Sequence, residues 1–100
     1  MTKEQLEKVL RSHKNIEVEG WIDPDEYGFS RKIAFTIRGV RYVIVWYCNL
    51  SYLYCGELRV VDFARVRLDS TYPDGYKLSL YMENEYGNVI ALIPVEEYEN

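Results

Sequence analysis

The residue types that commonly carry out catalysis are few and scattered in this chain of 100 residues. Nucleophilic catalysis needs a base beside the nucleophile. The single histidine, His13, falls at the end of a short amphipathic segment, where a solvated or helix-capping role is the ordinary one. Phosphate-binding loops need clustered glycines before a helix, but the six glycines stand singly. We therefore expect no catalytic residues and a protein that is not an enzyme.

The sequence gives no better support for a metal or another cofactor. Cys48 and Cys55 form no Cys-x-x-Cys pair and have no histidine partners, so zinc has no ligand set. We expect two half-buried thiols, with a disulfide across a hairpin or a reactive thiol as the alternatives. The acidic segment with Asp23, Asp25 and Glu26 lacks the spacing of an EF-hand calcium loop. We therefore expect no cofactor.

Tyrosine is the unusual feature of the composition, with ten copies. Its ring is apolar and its hydroxyl is polar, which suits both half-buried strands and interfaces. If the tyrosines near the middle of the chain share one face of a sheet, some rings must be exposed, and such residues dominate interface hot spots. The alternative is that they cover the core. The candidate protein-binding residues are Trp46, Tyr47, Tyr52 and Tyr54.

A second candidate surface consists of arginines in the middle of the chain. Residues 31–67 hold seven of the twelve basic residues and only two acidic ones, although the net charge of the chain is −4. Basic residues interleaved with aromatic ones on a sheet can bind nucleic acid, but nucleic-acid-binding proteins are usually basic overall. The alternative is that this face pairs with Glu17, Glu19 or the acidic tail of the same chain. The set comprises Arg38, Arg41, Arg59, Arg65 and Arg67.

Acidic residues concentrate toward both ends of the chain. If the partner is an enzyme that acts on nucleic acid, these carboxylates could mimic phosphate, and association would weaken as salt rises. The ordinary interpretation is a solvated strand face and an acidic loop and tail. The residues concerned are Glu17, Glu19, Asp23, Asp25, Glu26, Glu96, Glu97 and Glu99.

The first element that must position these residues is a helix. Thr2 is a good N-cap and Gln5 completes a capping box. Leu6, Val9 and Leu10 follow at i, i+3 and i+4, opposite a charged face. The pattern predicts a helix over about residues 3–13 whose narrow apolar stripe lies against a sheet.

Beyond the helix the apolar period changes from 3.6 to 2, which indicates strands. The segment 58–68 also allows a helix, but its valines favour a strand with Arg59, Arg65 and Arg67 on one side. Asp62 would then face inward, near an edge or paired with a base. Pro94 is expected to end the last strand. Strands are predicted over about residues 16–22, 29–38, 40–48, 52–55, 58–68, 76–82 and 88–93.

These elements predict a single α+β domain over residues 1–100. One N-terminal helix packs on a mostly antiparallel sheet of five to seven short strands, arranged as a meander or a curled half-barrel. The sequence contains no run of about 18 apolar residues that could span a membrane. Its first residues lack the hydrophobic core of a signal peptide. We expect a cytoplasmic protein.

A small, acidic, tyrosine-rich chain of this plan is similar in character to inhibitors of host defence encoded by phages and mobile elements, and equally to bacterial immunity proteins. The resemblance rests on no motif and implies no site residues. It favours a non-catalytic module that binds another protein, as an inhibitor or masking protein. The alternatives are a nucleic-acid-binding module and a self-associating domain that forms a homodimer through an exposed strand.

Overall fold

The computed structural model describes residues 1–22, 31–47, 49–70 and 76–97, except for the side chains of residues 76 and 97. These residues form one N-terminal helix and two antiparallel sheets, which confirms the expected α+β class. The elements are α1 (Lys3–Arg11), β1 (Ile16–Ile22), β2 (Arg31–Ile37), β3 (Val40–Trp46), β4 (Ser51–Cys55), β5 (Leu58–Phe63), β6 (Arg65–Asp69), β7 (Tyr76–Glu83) and β8 (Val89–Glu97).

Helix α1 begins at the expected capping box. The Thr2 hydroxyl accepts a hydrogen bond from the Gln5 N–H at 3.0 Å, and the Gln5 side-chain oxygen accepts one from the Thr2 N–H at 2.9 Å. Leu6 and Leu10 are fully buried against the sheets. The helix ends at Arg11, two residues earlier than expected. Among the described residues, no helix is both long enough and apolar enough to cross a bilayer.

Strands β1 to β5 form the larger sheet, sheet A, in sequence order and with antiparallel neighbours. Two-residue turns join β2 to β3 and β4 to β5. Arg38 and Gly39 have φ values of 52° and 80°, as a type I′ turn requires. Gly56, with φ of 63°, is the first central residue of the turn into β5. Strands β1 and β5 are the two edges of sheet A.

Strands β6, β7 and β8 form the smaller sheet, sheet B, with β7 in the centre. The expected single strand over 58–68 is therefore wrong in part, because Ala64 separates two strands that belong to different sheets. The Ala64 N–H donates to the carbonyl of Glu83 at 2.8 Å, so the chain leaves sheet A and joins sheet B at one residue. The helical alternative for this segment is wrong.

The last strand is longer than expected, because β8 continues through Pro94 to Glu97. The expectation that Pro94 ends the strand is wrong. Strand β8 lies at the edge of sheet B, and an edge strand tolerates proline because the position of its missing N–H can face away from the ladder.

The hydrophobic core lies between one face of sheet A, the inner face, and a second layer made of α1 and sheet B. The helix contacts β1 and β6, and β8 contacts β2 and β5. The fully buried residues of sheet A all point to this inner side, apart from the small Ala34. The main core residues are Leu6, Leu10, Ile33, Phe35, Ile37, Ile44, Leu53, Phe63, Leu80, Met82, Ile93 and Val95.

Candidate functional site

The outer face of sheet A, which points away from the core, carries a band of tyrosine and valine side chains. The strand register places Val43 opposite Tyr54 and Val45 opposite Tyr52. The intervening pair, Ile44 and Leu53, points into the core. We refer to the surface formed by the following residues as the tyrosine face: Val43, Val45, Tyr47, Tyr52, Tyr54 and Arg59.

Neighbouring groups on the tyrosine face support one another. The rings of Tyr47 and Tyr52 meet edge to face, with centroids 5.2 Å apart. The Arg59 guanidinium lies over the Tyr52 ring, 3.9 Å from its centroid. Tyr47 is 43% exposed, and Tyr52 and Tyr54 are half-buried. The rings are thus held in position while part of their area stays accessible, which lowers the entropic cost of binding a partner.

An ion pair with Asp62 fixes Arg59 on this face. The Arg59 Nε–H donates to a carboxylate oxygen of Asp62 at 2.7 Å, and this hydrogen bond raises the pKa of Arg59. The two side chains share a face because Val60 is an extra residue in β5, opposite the Leu53–Tyr54 step, and such a bulge shifts the alternation by one. Asp62 lies on an edge strand and pairs with a base, as expected. Its expected inward orientation is wrong.

Trp46 lies on the opposite side of sheet A from the three tyrosines, because successive residues of a strand point to opposite faces. It pairs with Arg31 in the sheet and packs against the core. Within the described ranges its buried indole N–H has no hydrogen-bond partner. The Trp46 ring contributes to an open pocket of about 560 Å³ at the start of α1, lined also by Met1, Thr2, Lys3, Glu4 and Arg31.

Arg59, Arg65 and Arg67, which were expected on one side of a single strand, do not share a face, so that expectation is wrong. Arg59 belongs to sheet A, whereas Arg65 and Arg67 belong to sheet B, and Arg38 lies in the β2–β3 turn. Arg65 donates to the backbone carbonyl of Glu85. Among the described residues, Arg41 pairs with Glu19, as the alternative interpretation expected. Arg59 pairs with Asp62, and Arg67 pairs with Asp69 and Glu83, acids that the alternative did not name.

The acidic candidates are only partly within the described ranges. Glu17 is exposed on β1. Glu19 accepts hydrogen bonds from Arg41 at 2.7 and 3.3 Å, and hydrogen bonding to this guanidinium lowers the pKa of Glu19. A carboxylate that an arginine already binds is a poor substitute for a free phosphate. Outside the described residues lie Asp23, Asp25, Glu26 and Glu99, together with the side chain of Glu97.

The histidine contacts a distant strand, and the described cysteine is a free thiol. His13 Nδ1 accepts the Asn15 N–H at 3.0 Å, and Nε2 lies 3.2 Å from the Glu96 carboxylate. His13 therefore links the end of α1 to β8, where a solvated or helix-capping side chain was expected. Cys55 is a half-buried free thiol, as expected. Cys48 lies outside the described residues.

Val43 and Val45 are members of the tyrosine face that the sequence reasoning did not assign to a site. The signal was present, because the segment 40–48 is apolar on both faces, a pattern typical of a strand that is central or covered on both sides. Strand β3 is indeed central in sheet A. Its outer valines nevertheless remain half-buried rather than buried.

No protein-family model matches the chain, and no curated protein and no solved structure is significantly similar to it. The interpretation of the tyrosine face therefore rests on its own geometry.

Proposed function

We propose that this chain is a non-catalytic protein-binding module that contacts its partner through the tyrosine face and acts by masking a surface of that partner. The observation that carries the proposal is the band of partly exposed tyrosine rings on the side of sheet A opposite the core. Tyrosine is enriched at interfaces because a rigid ring supplies large contact area while its hydroxyl remains hydrated before binding.

The charges around the tyrosine face support the same function. Arg59 is paired with Asp62, and Arg41, on the same side of β3 as the two valines, is paired with Glu19. The centre of the band is thus apolar and aromatic, and two of the arginines beside it are already paired with acids, while the exposed Lys32 lies opposite Val45 at its rim. Protein interfaces have this organisation, with a centre depleted of charge and a polar rim.

The test compares the wild-type protein with Tyr52→Ala as bait for proteins of the cell that produces it. A partner captured by the wild type should bind Tyr52→Ala about 30-fold more weakly, since truncating an interface hot spot costs about 2 kcal/mol or more. Titration calorimetry with the purified partner measures this difference. Tyr86→Ala is the matched control, because Tyr86 is 80% exposed in the β7–β8 turn and lies outside the tyrosine face.

Two outcomes would contradict the proposal. The first is a partner that binds Tyr52→Ala and Tyr54→Ala as tightly as it binds the wild type. The second is an oligonucleotide that binds the wild type at low salt and is lost with Tyr52→Ala, because the tyrosine face would then be a stacking surface for bases. Circular dichroism of each variant shows that the fold is retained.

A further inference from the structure

Strand β5 is the least protected of the sheet edges that the structure describes. Edge strands usually carry features that prevent pairing with another chain, such as proline, charge, short length or a covering element. Strand β8 contains Pro94, β6 has five residues beside α1, and β1 also lies beside α1 and carries the exposed Glu17. Strand β5 has no proline, and its apolar Leu58 and Val60 are 70% and 49% accessible, more than the 39–44% of Val89, Ile90 and Leu92 on β8.

The two charged residues of β5 do not protect its edge either. Arg59 and Asp62 bind each other and lie over the sheet face, with the guanidinium against the Tyr52 ring. Their charges cancel along the edge. The one feature of β5 that disfavours pairing is the bulge at Val60, which limits a regular ladder to a short stretch.

The turn between β4 and β5 determines which backbone groups of β5 point away from β4. Cys55 and Leu58 close a two-residue turn, and the closing pair of such a turn is hydrogen bonded. The next pair, Tyr54 with Arg59, then leaves the N–H and C=O of Arg59 directed to the open edge. The extra residue Val60 restarts the alternation, so that the backbone groups of Asp62 also point to the open edge.

We propose that two copies of this chain associate through β5 in an antiparallel arrangement, with a two-fold axis between Val60 and Val61. Arg59 of each copy then lies opposite Asp62 of the second copy, and both residues present free backbone groups to the partner strand. Both side chains point to the outer face, as residues paired across an antiparallel ladder must. The product is a continuous sheet of ten strands, five from each copy.

Charge complementarity identifies the second copy as the occupant of this edge. A base and an acid three positions apart on one strand are self-complementary when that strand pairs with itself in the antiparallel direction. In the dimer, each Arg59 can bind Asp62 of its own copy or Asp62 of the second copy, and no charge is left unpaired in either case. The apolar Val60 meets Val61 of the second copy, which removes the exposed valine from water.

Charge-reversal variants test the proposal through the mass in solution. Sedimentation equilibrium should show a concentration-dependent dimer for the wild type. Arg59→Glu places two acids on each edge, and Asp62→Lys places two bases there, so each variant alone should be monomeric. An equimolar mixture of the two variants should form a heterodimer, and the double variant Arg59→Glu/Asp62→Lys should form a homodimer again.

Arg41→Glu is the control, because it breaks an ion pair of similar exposure away from β5. This variant should dimerise like the wild type.

The proposal is overturned if the wild type stays monomeric up to its solubility limit, or if Arg59→Glu and Asp62→Lys dimerise as well as the wild type does. It is also overturned if neither the mixture nor the double variant recovers the dimer, provided that circular dichroism shows each protein to be folded. The experiment measures only the mass of the chain in solution, without a partner protein. A failure of the dimer proposal can therefore be distinguished from a failure of the protein-binding function proposed for the tyrosine face.

Discussion

At Glu96 a single carboxylate joins three segments of the chain. Lys77 Nζ, on β7, lies 3.2 Å from one carboxylate oxygen, and His13 Nε2, after α1, lies 3.2 Å from the other. The hydrogen bond from Lys77, followed by that from His13, lowers the pKa of Glu96. The folded protein therefore binds a proton at Glu96 less readily than the unfolded chain does.

We predict that Glu96→Gln lowers the free energy of unfolding at neutral pH and that its difference from the wild type disappears in acid. A carboxyl group whose pKa is lowered on folding stabilises the protein fully above its unfolded pKa, close to 4.5. That stability is lost as pH falls through the folded pKa. Urea unfolding at several pH values measures the effect, with Glu57→Gln in an exposed turn as the control. A difference that stays constant into strong acid would contradict this explanation.

At the scale of the element, α1 depends on the reciprocal hydrogen bonds of Thr2 and Gln5. We predict that Thr2→Ala lowers the free energy of unfolding by about 1 kcal/mol, the usual cost of removing an N-cap side chain. Thr2→Ser keeps the hydroxyl and should retain most of this stability. Chemical unfolding of both variants checks the prediction, and equal losses for the two would show that the hydroxyl does not cap the helix.

The helix and most strands could be predicted because their signals are local. The capping residues of α1 and the alternation in β1 and β3 lie within the elements they define. The bulge at Val60 could not be predicted, because it is defined by the register against Leu53 on another strand. The break at Ala64 could not be recognised in the sequence, because apolar residues continue to alternate with polar ones after it. Within the segment 58–68, the residues that pack into the core have odd numbers before the break and even numbers after it. Whether Pro94 ends its strand depends on whether that strand lies at the edge of a sheet, and the sequence alone does not give the order of the strands.

The same limit applies to the candidate site. Tyr52 and Tyr54 were grouped correctly with Tyr47, because residues two apart on a strand share a face. Trp46 was grouped with them by proximity in sequence, which does not determine the face. Arg59, Arg65 and Arg67 were grouped by assuming one uninterrupted strand. Their separation into two sheets required knowledge of long-range pairing that a period of two does not contain.

At the scale of the whole molecule, the segregation of charge along the sequence is partly cancelled by folding. Arg41, from the basic middle of the chain, pairs with Glu19 near the start, and Arg67 pairs with Glu83 near the end. Exposed ion pairs of this kind contribute little to the stability of a protein, because solvent screens them. Their larger effect is to leave fewer free cations, which weakens the interpretation of this chain as a nucleic-acid-binding module.

Both sheets are meanders in which every described pairing joins strands that are consecutive in sequence. The two sheets meet mainly through side chains of α1 and β8. We predict that native-state hydrogen exchange separates the protected amides into two cooperative groups, β1–β5 and β6–β8, with different opening free energies. Exchange measured by mass spectrometry or NMR checks this, and one common opening free energy for both sheets would contradict it.

Because each strand within a sheet pairs with the next strand in sequence, each ladder closes only a short loop. The fold therefore has a low contact order for a protein built mainly of strands. The cost in chain entropy of forming each hairpin is correspondingly small. Sheet A requires nothing from the residues beyond Phe63 for its own ladders. During synthesis on the ribosome, every strand of the five-stranded meander is therefore made before the second meander, and the second meander then covers the apolar inner face of the first.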